Sequence, residues 1–137
     1  MLDEILHAVS APAELVGKPY LLPKYDDPEF VVRGIWHLDA GWFDGNAAHA
    51  TELAAELASL AGGEDKLAER AEALAKAGKT RLAAHLIELA STASPASADI
   101  QAVRARVYAQ CVSAEASLIG KAIFEVYRRD AEARSSA

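Results

Sequence analysis

The sequence predicts an all-α protein: an antiparallel helical bundle with tetratricopeptide-like helix pairs and an extended N-terminal arm. Three observations predict it. Hydrophobic residues make up 52% of the 137 residues but aromatics only 7%, and much of the apolar share is alanine, the best helix former. Glycines stand at Gly62-Gly63 and Gly78, just where runs of helical apolar spacing stop. The links between those runs are short, which forces consecutive helices to double back as antiparallel neighbours. Leucine and alanine should therefore build the core, with a separate aromatic patch before Phe43.

Each element has its own warrant. Leu2 to Val9 carries Leu2, Ile5, Leu6 and Val9 on one helical face. Residues 10–24 contain Pro12, Pro19, Pro23 and Gly17 and read as neither helix nor strand, because each proline fixes φ and removes a donor. This arm also holds Leu15, Tyr20 and Leu21, so it should lie against a surface, its own or a partner's. We take residues 1–24 as a short helix plus apolar arm and residues 25–137 as the helical domain. Asp27-Pro28-Glu29 starts the next helix, with an N-cap acid, a first-turn proline and a first-turn glutamate. That helix should run to about Ala40, followed by a glycine-bracketed turn holding Trp42, Phe43 and Asp44.

Helices are then expected over 47–61, 64–77 and 80–93, with Leu53, Leu57 and Leu60 marking the first of these. The stretch 97–134 reads as two helices broken near Val112–Ala114. The piece from Gly78 through Leu86, Pro95 and Arg104 to Ala109 resembles a tetratricopeptide-type pair. One such pair cannot bury both faces and needs a neighbour.

Charge and cysteine content narrow the function. The net charge is −6 with no basic stripe, which argues against nucleic acid and against an anionic membrane surface. Arg128 and Arg129 are flanked by Glu125, Asp130 and Glu132, as on a solvated helix face. The lone Cys111 excludes an internal disulfide and fits a reduced, cytoplasmic setting; it reads as a small buried apolar residue. No apolar run could span a bilayer, and the start Met1-Leu2-Asp3-Glu4 lacks a signal peptide's basic region. The length fits both a whole small protein and a domain of a longer one.

Candidate chemistry is sparse. His85 and Glu88 share a helix face, but in the reverse order to the Glu-x-x-His of di-iron bundles and without a partner set. His49, Glu52 and Glu56 line a face that reads as solvent-facing. His37, Asp39, Asp44 and His49 around the aromatic corner give the one enzymatic alternative, a small metal-dependent hydrolase. Another alternative is a tetratricopeptide-like adaptor that binds a partner peptide. The favoured reading is a non-catalytic chain whose work is pairing, with no catalytic residue, metal or cofactor of its own.

Two blocks carry a family resemblance. One runs from Tyr25-Asp26-Asp27-Pro28-Glu29-Phe30 through Arg33-Gly34-Ile35-Trp36 into Gly41-Trp42-Phe43-Asp44-Gly45-Asn46. The other holds Leu60-Ala61-Gly62-Gly63, Arg70-Ala71, Leu74-Ala75, Gly78, Arg81-Leu82-Ala83 and His85-Leu86. Together they resemble the alkyl-sulfatase dimerisation domain of metallo-β-lactamase-fold hydrolases. The resemblance implies a helical homodimerising module covalently linked to a catalytic domain that holds zinc. It departs at Pro28-Glu29-Phe30-Val31, where long-chain alkyl sulfatases carry a histidine, and at Asn46-Ala47-Ala48. The residues expected at a dimer interface or domain corner are Tyr20, Leu21, Tyr25, Phe30, Arg33, Trp36, Trp42, Phe43 and Asp44.

Overall fold

The computed structural model describes residues 5, 6, 8, 10, 12–16, 18–20, 28–39 and 50–136. The chain divides into two compact units, residues 1–45 with 116–120 and residues 46–115 with 121–137. Among the described residues the architecture is all-α, with no strand.

In the first unit, Ile5, Leu6 and Ala8 are helical and Leu6 is buried. Ala13–Val16 forms a single helical turn, α1. This corrects the expectation of a wholly non-helical arm. Pro12 sits ahead of the turn, where its missing N–H costs nothing, and Ala13 and Glu14 are good helix formers. Helix α2, Pro28–Asp39, starts on the expected proline with Glu29 in its first turn.

The second unit holds α3 (Ala50–Ala61), α4 (Glu64–Lys76), α5 (Thr80–Ala93) and α6 (Ala98–Ala114). Helix α7, Leu118–Ser135, belongs to it from residue 121 onward. Two glycine corners set the reversals. Gly63 N–H donates to the Ala58 carbonyl at 2.8 Å and Gly62 N–H to Ser59 at 3.1 Å. Lys79 N–H donates to Leu74 and Gly78 N–H to Ala75, both at 2.9 Å. Each set is the paired closure of a Schellman cap, which needs a left-handed residue just past the helix. Gly62 and Gly78 supply it with φ of 89° and 78°. The break between α6 and α7 falls at 115–117, slightly later than expected. Capping chemistry fixes it: Glu115 N–H still closes onto the Cys111 carbonyl at 2.9 Å, and the Ser117 hydroxyl accepts from Gly120 N–H at 2.9 Å.

Helix α5 packs on α3, α4 and α6, and α4 also on α3 and α6. Small side chains make this possible. Ala54, Ala58, Ala68, Ala71, Ala75, Ala83 and Ala90 are buried and let backbones approach, while Leu67, Leu74, Ile87, Ile100 and Val107 fill the space between them. The leucines that mark α3 in the sequence are not its most buried residues. Ala54 and Ala58 face in, whereas Leu53 and Leu60 are exposed and Leu57 half-buried. Alanine at this contact brings α3 closer to α4 and α5 than leucine would allow.

The Gly78 corner gives a direct test. A Cβ there meets nothing within 4 Å, so an added methyl would be opposed by backbone conformation alone. Gly78→Ala is expected to lower unfolding free energy by roughly 1 kcal/mol, the cost of a left-handed alanine, measured by urea denaturation with an unchanged m-value.

Candidate pairing surface

The outward faces of this unit are set by one buried cation. Arg104 lies on α6 with its side chain only 5% exposed. Its Nε donates to Glu88 on α5 at 2.6 Å, and its Nη1 to Asp130 on α7 at 2.6 Å and to Gln101 Oε1 at 3.4 Å. The guanidinium carbon stands 5.7 Å from the Tyr108 ring centre and 5.5 Å from that of Tyr127. Tyr108 and Tyr127 stack at 5.1 Å, and Phe124 tilts against Tyr108 at 6.0 Å. Gln101 is fully buried and completes the network, donating to Ser91 Oγ at 3.0 Å and to the Pro95 carbonyl at 3.1 Å. Among the described residues no buried side-chain nitrogen or oxygen lacks a partner.

The charges respond accordingly. Burial pulls the Arg104 guanidinium toward neutrality, but the bonds to Glu88 and Asp130 outweigh it, and its proton is held more tightly than usual. The bond from Arg104 holds Asp130 below the usual carboxylate range. Burial, and then the Glu88 charge, push the Tyr108 hydroxyl up. Burial also raises the Cys111 thiol to about 11, and its sulfur points to the Thr80 carbonyl at 3.5 Å. Cys111 is thus a buried apolar residue, as the sequence suggests. Glu88, the neighbour of His85 on α5, is engaged by Arg104 through its Oε1.

With α7 fixed through Arg104, Tyr108, Phe124 and the fully buried Ala131, several of its other apolar residues are exposed. Ile123, Val126 and Tyr127 are exposed, Val126 to 67%, and Ala122 lies beside them. In the first turn, which groups with the other unit, Leu118 and Ile119 are exposed as well. Around this face Arg128 pairs with Glu125 at 2.6 Å and with Glu132, and Arg129 pairs with Glu125 at 2.9 Å. The bonds from Arg128 and then Arg129 bring Glu125 down to about 2. A groove of about 290 Å³ between α3 and α5 is lined by Leu53, Ala54, His85, Glu88, Leu89 and Thr92, with Ala50 at one end.

The residues picked from sequence are placed unevenly. Tyr20 is 78% exposed in the first unit, and Phe30 and Arg33 are exposed on α2 together with Val31 and Ile35. The backbone of Trp36 belongs to α2, but its side chain lies outside the described residues, as do Leu21, Tyr25, Trp42, Phe43 and Asp44. Of the enzymatic alternative, Asp44 and His49 also fall outside them. The face on α7 was missed as a surface. Periodicity shows that Leu118, Ile119, Ile123 and Val126 share a side, but only the bond to Arg104 determines which side turns inward.

A family match spans residues 1–134, to alkyl sulfatase dimerisation. The chain belongs to that family. No curated protein matches the chain. Among solved structures, this alkyl sulfatase dimerisation domain is similar to a double mutant of the sec-alkyl sulfatase PisA1. The TM-score is 0.82, with 25% identity over 98% of this chain. The chain spans 22% of the length of that protein. Among the described residues of the domain, no helix is long and apolar enough to cross a membrane.

Carboxylates paired with arginines should make the domain acid-sensitive. Glu125, Asp130 and Glu72 all have depressed folded-state values, Glu72 mainly through its bond from Arg106 at 2.7 Å. Depressed carboxylates contribute stability that is complete above their unfolded values and lost as pH falls through the folded ones. Stability should hold down to about pH 4.5, the ordinary glutamate value, and fall from there toward about 2. Asp130→Ala should cost about 1–2 kcal/mol at pH 7 by leaving buried Arg104 half-paired. Glu132→Ala, which removes an exposed pair, should cost less than about 0.5 kcal/mol. Urea titrations across pH would read both.

Proposed function

We propose that this chain is a non-catalytic pairing domain that joins two copies of a longer hydrolase with a metallo-β-lactamase-fold catalytic domain. The observation that carries the reading is the match to alkyl sulfatase dimerisation over residues 1–134. The similarity to a sec-alkyl sulfatase of which this chain spans 22% supports a larger parent, with zinc and the hydrolytic chemistry held in the remainder. The surface supports pairing too. Apolar side chains on α2 and α7 are left in water, as expected of an interface seen without its partner. Among the described residues, Glu88 and Asp130 are paired with Arg104 and Glu72 with Arg106. The groove beside His85, at about 290 Å³, sits at the lower limit of small-ligand sites.

The full chain is expected to run as a dimer in sedimentation velocity or light scattering at micromolar concentration. A monomer at high micromolar concentration would overturn the proposal. Metal analysis of the purified chain should find zinc and iron well below one per chain, and stoichiometric metal would restore the hydrolase alternative.

A further inference from the structure

We infer that the outward face of α7 formed by Ala122, Ile123, Val126 and Tyr127 is where a second copy of this chain docks. The inference rests on the pairing reading above and adds the surface to it.

Charge selects this face over its rival in the same unit. The chain carries −6 overall, so two copies repel unless they meet where the charge is balanced. Helix α3 also exposes leucines, Leu53 and Leu60, but its only charges are Glu52 and Glu56. From residue 121 onward α7 carries Lys121 and three arginines against Glu125, Asp130 and Glu132. Arg128, Arg129 and Arg134 are already paired with acids of their own helix. Where two such faces approach, Glu125 is already neutralised from its own side, and Lys121 remains as a single cation outside these pairs.

The pattern is also self-complementary. A two-fold interface sets one patch against itself, so each residue needs a counterpart in the same patch. In an antiparallel crossing centred between Ile123 and Val126, Ile123 meets the partner's Val126. Ala122, the small residue, meets the partner's Tyr127, the large one. Tyr127 is held for this by stacking on Tyr108 and by the Arg104 guanidinium, so little side-chain freedom is lost on docking. These four residues would form the apolar centre of the interface.

The test is the dimer dissociation constant of the full 137-residue chain, measured by sedimentation with circular dichroism to verify folding. Val126→Glu should weaken pairing at least tenfold, because it buries two charges against apolar side chains. Leu60→Glu on α3, at a site 76% exposed, should leave it within twofold. If Val126→Glu fails to fold, Ile123→Ser gives the same direction with a smaller charge-free change. Wild-type affinity in a folded Val126→Glu or Ile123→Ser chain, or loss of pairing in Leu60→Glu, would overturn this face while leaving self-association standing. A monomeric wild-type chain would overturn both.

Discussion

Arg104 ties three helices through a single side chain, and the rest of the second unit is arranged around that constraint. A guanidinium removed from water must have partners, and the low dielectric that makes it costly alone makes it rigid when paired. Here the partners come from α5 and α7, with the mutually stacked Tyr108 and Tyr127 rings beside the guanidinium. The planar fork suits two carboxylates and two rings at once, which a lysine ammonium would not. Gln101 extends the network to Ser91 and to the turn at Pro95, so the α5–α6 link is fixed by the same cluster.

The apolar interior works differently on either side of this cluster. Between α3, α4, α5 and α6, alanine sets the helix spacing and larger residues fill what remains. On α7 the apolar residues are divided. Phe124 packs on the core and Ala131 is fully buried, whereas Ile123 and Val126 face out. A helix docked through one cation, its aromatic neighbours and an alanine leaves Ile123 and Val126 uncovered. That division matches the domain's membership of a family named for dimerisation.

Local signals were legible in the sequence. Gly62 and Gly78 end helices for a reason that a single residue carries, the left-handed conformation it alone adopts cheaply. Pro28 starts α2 for an equally local reason. The resemblance to alkyl sulfatase dimerisation domains was legible too, from the spacing of glycines, arginines and aromatics. Long-range facts were not. Arg104 stood in the sequence as one position of a helix pair, but its partners are 16 and 26 residues away, and no periodicity points to them. The leucines of α3 are not its buried face because spacing groups residues without saying whether the adjacent alanine face packs better. The α6–α7 break lay slightly beyond expectation because a serine cap, rather than the apolar pattern, fixes it. The Trp42–Phe43–Asp44 corner, where sequence placed three of its nine interface candidates, lies outside the described residues.

Cys111 is the chain's one thiol, sits inside α6 with burial holding it largely protonated at neutral pH, and faces a backbone carbonyl. Reagents that need a thiolate can reach it only when α6 comes away from its neighbours. In the folded domain it is therefore silent to alkylation. Single cysteines for spectroscopic labels or crosslinks can be introduced on the surface without first removing it. Its slow modification, followed over time, would clock the opening of the core without any engineered probe.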